Sequence, residues 1–428
     1  MRILLTANAS YVPPRGGATR SNLVWLEAIA ARGHACRIVA PALAASITGQ
    51  QAREEQIARE WRASAAAPGV DLYERRSVSV YAVAERARLV SFLKDQIREF
   101  NPDWLLVSSE DLGHVLLREA ARSAPGRIVY LAHTPQFFPF GPASWNPDAE
   151  GADVVRRAAA VVAIGHHTAA YIREHVGREA AVVHPPVYGK GPYPNLAAFD
   201  RGLVTMINPC AVKGISIFLA LADRLPNRAF GALPGWGTTS SDRRELERRP
   251  NIRMLPNVRD IEQFFAQTRV LLMPSLWYEG FGLSVMEAML RGIPTIASDS
   301  GGLAEAKAGT GYVVPSGGIE RFEPVFDEHG MPKPVLRPVD VAPWAEALER
   351  LLGDRAEYER ESAVARAAAL RFVGGLRAEQ MAEFLASLSP AAAAPAAPAR
   401  PVSEALSPEK RALLLKRLRE KAAGRESN

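Results

Sequence analysis

Two glutamates, Glu279 and Glu287, stand eight positions apart in residues 273–305, MPSLWYEGFGLSVMEAMLRGIPTIASDSGGLAE. Between them lies Gly280-Phe281-Gly282, a turn whose glycines let the backbone approach a ligand closely. Leu283 then opens a helix, and the free N–H groups and positive dipole end at its start suit an anion, most simply a phosphate. Glu287, one turn into that helix, can accept paired hydrogen bonds from vicinal hydroxyls such as those of a ribose. Glu279, in the turn, can do the same for a sugar ring. On residue types alone, two acids are more simply read as solvated surface charges. The turn and helix between them weigh against that reading without deciding it.

Such a segment needs a scaffold that ends strands at a cleft. The sequence supplies alternating strand and helix patterns. Arg2 to Thr6 reads as a buried parallel strand. A Pro- and Gly-rich loop over residues 7–17 follows, then a helix from Ala18 to Arg32 ended by Gly33, and a strand from Ala35 to Ala40. Further strands are expected at Trp104 to Val107, Ile128 to Ala132 and Ala158 to Ile164, with helices at Val90 to Phe100, 112–123 and His167 to His175. Residues 190–200 have linker texture. A second series begins with Leu203 to Ile207, continues through Ile215 to Leu225 and Ala229 to Leu233, and adds strands at 252–255, 270–273, 294–297 and 312–314. This pattern predicts two doubly wound α/β domains facing across a cleft.

The residues of the segment also resemble a known family. Pro274-Ser275, Glu279-Gly280-Phe281-Gly282, Glu287-Ala288-Met289, Gly292 to Ala297 and Gly301-Gly302 follow the order and spacing of the Glu-x7-Glu signature of retaining glycosyltransferases of family 4. The resemblance extends over roughly residues 1–388. It implies a GT-B fold of two Rossmann-like domains, and transfer of a sugar from a nucleotide-diphosphate donor with retention at the anomeric carbon. It implies an acceptor-binding domain over 1–190, a donor-binding domain over 201–370, and a C-terminal helix over 371–388 crossing back to the first domain.

Family positions carry over residue by residue. Gly16-Gly17 matches the glycine loop near the donor phosphates. Lys213, in Lys213-Gly214, matches a cation that neutralises the departing diphosphate. Gly235-Trp236-Gly237 matches a second loop over the nucleotide, and Arg253 to Val258 the segment that holds the base. His133, after a strand of the first domain, matches a histidine touching the transferring sugar. The expected catalytic set is therefore His133, Lys213 and Glu279. The expected donor site is Gly16, Gly17, Asn208, Lys213, Gly235, Trp236, Gly280, Phe281, Gly282, Leu283 and Glu287. Asn208 is a departure: the family usually has an arginine there, five residues before the lysine. The loop Thr134 to Pro147, TPQFFPFGPASWNP, is a candidate acceptor platform because aromatic faces stack on sugars and apolar rings. Glu110 and Asp111 are candidates for acceptor hydroxyls.

Other classes are disfavoured. No metal or other cofactor is expected: no Asp-x-Asp occurs, and His166-His167 lacks evident partner ligands. Two cysteines, Cys36 and Cys210, cannot build a disulfide framework and point to a reducing, cytoplasmic setting. No run approaches the ~20 apolar residues of a membrane span. The net charge of +6 is uneven: residues 390–428 hold 8 basic and 4 acidic residues, against 44 and 42 elsewhere. A nearly neutral body argues against nucleic acid as a partner. Residues 389–405 read as a Pro/Ala linker. Residues 406–423, LSPEKRALLLKRLREKAA, form a basic amphipathic helix that resembles segments flanking modules of peptide and polyketide synthases. That resemblance implies a synthase partner and a role in specialised-metabolite biosynthesis, with membrane contact at most peripheral. A bacterial glycan or lipid glycosyltransferase, or a catalytically weakened scaffold docked to a synthase, are the competing readings.

Overall fold

Strand β1 (Arg2–Thr6) is buried along its length after Arg2, as the apolar run requires when both faces of a parallel sheet are covered. A computed structural model describes residues 1–14, 16–43, 50–258 and 260–390. In the N-terminal lobe, β1 lies between β2 (Ala35–Pro41) and β6 (Trp104–Ser108), with β7 (Ile128–Ala132), β8 (Ala160–Ala163) and β9 (Ala181–Val182) continuing the parallel array. On the other side, β5 (Val78–Val83) pairs in parallel with β2, and the hairpin β3 (Arg62–Ala67) and β4 (Val70–Arg75) adds an antiparallel edge. The nine-stranded order is β3-β4-β5-β2-β1-β6-β7-β8-β9.

The second lobe has a six-stranded parallel sheet: β10 (Leu203–Ile207), β11 (Phe230–Leu233), β12 (Ile252–Met254), β13 (Thr268–Met273), β14 (Thr295–Ser298) and β15 (Val313–Val314), in the order β12-β11-β10-β13-β14-β15. Its chain reverses outward from β10 on both sides, which sets the switch point where ligands bind in open α/β sheets. Beyond β15, an antiparallel hairpin, β16 (Ile319–Phe326) and β17 (Pro332–Leu336), stands apart from the sheet.

The C-terminal ends of both parallel sheets meet. The long helix Arg355–Gly374 packs on the helix Leu283–Leu290, and the helix Gln380–Ser387 packs on the first helix, Gly16–Ala30. One buried cluster accordingly joins Leu23, Trp25 and Ile29 of the first lobe to Met286, Met289 and Leu290 of the second and to Met381 and Leu385. No helix among the described residues is long and apolar enough to cross a membrane.

Candidate active site

The segment after β13 is shaped by glycines at places where a side chain cannot fit. Gly214 has φ +82°, and a Cβ there would overlap the Pro274 carbonyl, so the Lys213-Gly214 turn sits directly against Pro274-Ser275. The backbone N–H groups of Leu276 and Trp277 donate to the Val212 carbonyl at 3.0 and 3.1 Å and fasten the two loops together. The result brings Lys213 to Glu279. Its ammonium pairs with the Glu279 Oε1, which also accepts from the Ser275 hydroxyl. The Lys213 ammonium lies 4.4 Å from the centroid of the Trp277 ring, a cation–π contact.

Glu287 faces the other lobe. Its Oε1 accepts from Arg20 at 3.3 Å, and Arg20 lies on the first helix just after Gly16-Gly17. Gly16 takes φ +82°, and a Cβ on Gly17 would lie 3.1 Å from Leu283 Cδ1, so the glycine loop of one lobe abuts the helix start of the other. Gly282 also has positive φ, +118°, and a Cβ there would come within 2.8 Å of Leu303. The expected positions Gly16, Gly17, Lys213, Glu279, Gly280, Gly282, Leu283 and Glu287 thus gather on one cleft.

Asn208 answers its departure in shape rather than charge. It takes φ +55°, its Oδ1 accepts from the Gly237 N–H at 2.9 Å, and a Cβ on Gly235 would approach it to 2.6 Å. The amide therefore holds the Gly235-Trp236-Gly237 loop, while Trp236 stays 51% exposed. An arginine at this position would carry a charge into a space that Asn208 fills with a hydrogen bond to the loop.

Burial narrows three expectations. Phe281 is buried with its ring stacked on Phe372 at 5.3 Å and against His184 at 5.1 Å, so only its backbone is available to a donor. Asp111 is buried and its Oδ2 accepts from the Leu116 N–H at 2.7 Å, which ties it to the start of the helix Val115–Ser123 and leaves only Oδ1 for an acceptor. In the loop Thr134 to Pro147, Phe138 and Phe140 belong to the first lobe's core, and Trp145 is the ring that reaches across, 5.9 Å from Trp277 and 5.4 Å from Phe322 of the hairpin.

His133 is 1% exposed and lies beneath the Glu279–Gly282 turn. The turn can sit there because Gly280 has no Cβ to meet the His133 carbonyl. Its ring state follows from a chain of donors and acceptors. Glu110 Oε2 can only accept from the Ser108 hydroxyl, which uses that hydroxyl's proton. Ser108 must then accept from the Asn22 Nδ2 at 2.9 Å, and Asn22 Nδ2 also donates to Tyr11 at 2.8 Å. Asn22 therefore turns its Oδ1 to His133 Nε2, 2.8 Å away, so Nε2 carries the proton. Nδ1 is left with a lone pair, buried and without a hydrogen-bond partner among the described residues. Arg20, Asn22 and Ser108 escaped the sequence reading. The signal was Arg20 at helical spacing from Gly17, on the face that looks into the cleft.

Burial pushes His133 below its ordinary value of 6.5 despite the nearby Glu110, and it does the same to His114 and His184. These rings are neutral in the folded chain and take up protons when it unfolds. Their contribution is fully present above about pH 6.5 and is lost as pH falls through the lower folded values. The melting temperature should therefore drop as pH falls below about 6.5, and His133→Gln should shrink the drop. Parallel pH profiles for parent and variant in a thermal melt would count against a neutral buried His133.

Several buried polar atoms have no partner among the described residues, including Glu110 Oε1, Asp111 Oδ1, His133 Nδ1, Asn208 Nδ2, Trp145 Nε1 and Trp277 Nε1. A buried polar atom left unpaired costs about 1–3 kcal/mol. Such atoms suit a ligand rich in donors and acceptors.

The model of a family described as Glycosyltransferase Family 4 matches residues 15–188, and one described as Glycosyl transferases group 1 matches residues 202–354. The chain is a GT-B glycosyltransferase. Anabaena Alr3699/HepE in complex with UDP-glucose shares the fold at a TM-score of 0.63 with 15% identity, covering 91% of this chain and 100% of that one. Sucrose-phosphate synthase from Thermosynechococcus elongatus gives 0.62 at 16% identity over 90% and 98%. The S. aureus TarM complex with UDP gives 0.62 at 9% identity over 89% and 98%. No curated protein matches the sequence. In this glycosyltransferase the two family matches leave residues 189–201 between them, the segment that joins the lobes.

Proposed function

We propose that this glycosyltransferase moves a hexose from a nucleotide-diphosphate sugar to an acceptor hydroxyl, with retention. The observation that carries the reading is the pairing of Lys213 with Glu279 at the foot of the helix Leu283–Leu290, opposite Gly16-Gly17. A diphosphate placed at that helix start meets free N–H groups, the positive dipole end and the Lys213 ammonium. As the bond from the anomeric carbon to the diphosphate breaks, its electron pair goes to the phosphate oxygen, where these groups stabilise it. The acceptor oxygen forms the new bond on the same face, and its proton passes to the departing diphosphate. Glu287 is suited to the ribose hydroxyls and Glu279 to the sugar. The His133 Nδ1 lone pair is suited to accept from a sugar hydroxyl. No metal ion is assigned to this chemistry.

UDP-glucose is the first donor to try, since the HepE structure holds it. Release of nucleoside diphosphate from a panel of UDP-, GDP- and TDP-sugars tests the reading, and failure of every donor both to bind and to react would sink it. Glu287→Ala should weaken donor binding by roughly 1.5–3 kcal/mol, about 10- to 100-fold, because it removes a charged acceptor for paired hydroxyls. Calorimetry with the preferred donor reads this directly, and equal affinities would take Glu287 out of the site. Donor binding without any turnover would favour the weakened scaffold that Asn208 raises. For the acceptor, the resemblance of residues 406–423 to synthase segments supports a peptide or polyketide intermediate and a specialised-metabolite pathway. Those residues and the linker from 391 onward lie outside the described residues.

A further inference from the structure

His166 follows β8, His184 follows β9, and Glu305 lies on the short helix Leu303–Ala306 of the second lobe. In sequence these three are scattered over 140 positions, and His166 had no evident partner ligands. The closed lobes bring them together. One ligand atom from each lies within 4.8 Å of the others, and His184 Nε2 stands 3.7 Å from Glu305 Oε1. We propose that His166, His184 and Glu305 bind a divalent transition metal, best zinc, that clamps the two lobes in the closed arrangement.

The donor chemistry suits the ion. Two imidazoles and one carboxylate form a three-ligand zinc set with a fourth position open to water. Ligand-to-metal distances of about 2.0–2.2 Å place tetrahedral ligand atoms about 3.4 Å apart. His184 and Glu305 already stand near that separation. His166 is exposed, so its ring is free to rotate inward. His184 is held between Phe281 at 5.1 Å and Phe372 at 5.0 Å, which fixes one ligand in place. Glu305 is fixed too: its two oxygens accept from the backbone N–H groups of His166 and His167 at 2.9 and 3.0 Å. Each oxygen keeps a further lone pair for a metal. The site is complete only when the lobes meet, because both histidines belong to the first lobe and the carboxylate to the second. A bound ion therefore favours the closed state by its differential affinity. It lies outside the Lys213–Glu279 pair and takes no part in the transfer step.

Titration of the full-length, chelator-treated protein with zinc chloride alone, by calorimetry, tests the site. One ion per chain is expected, with a rise in melting temperature. His166→Ala keeps the backbone cap on Glu305 and should lower zinc affinity by more than about tenfold, since even outer-sphere losses reach that size. His184→Ala should do the same, and His175→Ala should not. Turnover of the parent should fall on adding zinc and recover with chelator, while His166→Ala without zinc keeps parental turnover and resists inhibition. Absence of binding overturns the proposal, as does affinity unchanged in both His166→Ala and His184→Ala. Zinc bound at this site with no effect on turnover would overturn the clamp. Binding is read without donor or acceptor, so its outcome is independent of the sugar-transfer reading; only the turnover arm rests on that reading.

Discussion

Lys213→Ala should lower kcat by about 10²- to 10³-fold while changing the affinity for the neutral nucleoside little. A fixed cation aimed at charge that develops only in the transition state is worth that much when it is removed. Here the ammonium is held on three sides, by Glu279, by the Trp277 face and by the turn that Gly214 permits against Pro274. In the proposed transfer it would meet the diphosphate already oriented. Asn208 makes the dependence sharper, because its neutral amide is committed to the Gly237 N–H and supplies no second charge. Lys213→Arg retains the charge but cannot reproduce the compact ammonium between Glu279 and Trp277, so partial recovery is expected. Single-turnover rates at saturating donor separate this from a binding defect. A fall in donor affinity with kcat untouched would show that Lys213 serves the ground state alone.

The parts of this protein visible in its sequence are those whose physics is local. Buried parallel strands such as Arg2–Thr6, Ile128–Ala132 and Leu203–Ile207 announce themselves as apolar runs, and their bounds were readable to the residue. The exposed elements were not. The hairpin Arg62–Ala67 and Val70–Arg75 is mostly solvated, so it has no alternation to betray it, and the hairpin Ile319–Phe326 and Pro332–Leu336 is alike. The site divides the same way. Glu279, Gly280, Gly282 and Glu287 stand within one segment and were legible as a set. Arg20 on Glu287, Asn22 between Ser108 and His133, and Glu305 beside His184 are contacts between residues 86 to 267 positions apart. No local pattern encodes them: the Asn22 contacts exist only once the first lobe has folded, and those of Arg20 and Glu305 only once the two lobes have met. Phe281 divides likewise: its place in the glycine turn is sequence-local, but the burial of its ring depends on Phe372, from a helix near the end of the described chain.

Gly280→Ala should have a comparably large effect, and through geometry alone. Gly280 does not need its glycine for backbone freedom, since its φ lies outside the left-handed region. It needs the missing Cβ: one added there would overlap the His133 carbonyl and come within 2.8 Å of Ile164 Cδ1, both in the opposite lobe. The Thr168 hydroxyl donates to the Gly280 carbonyl at 3.1 Å in the same contact. Alanine would therefore hold the lobes apart by about the depth of a methyl group while leaving each lobe's own core intact. A misplacement of about 1 Å between reacting groups costs on the order of 10²-fold in rate, so kcat/KM should fall by about 100-fold or more. The melting temperature should fall as well, since one buried cluster spans both lobes and the added methyl overpacks their contact at a cost of about 1–3 kcal/mol, and solution scattering should show a larger radius of gyration. A Gly280→Ala enzyme with parental kcat/KM would mean that the contact of Gly280 with His133 is not the arrangement in which transfer occurs. His133 would then lose its place against the Glu279–Gly282 turn, and with it the hydrogen-bond relay from Glu110 as a determinant of the reaction.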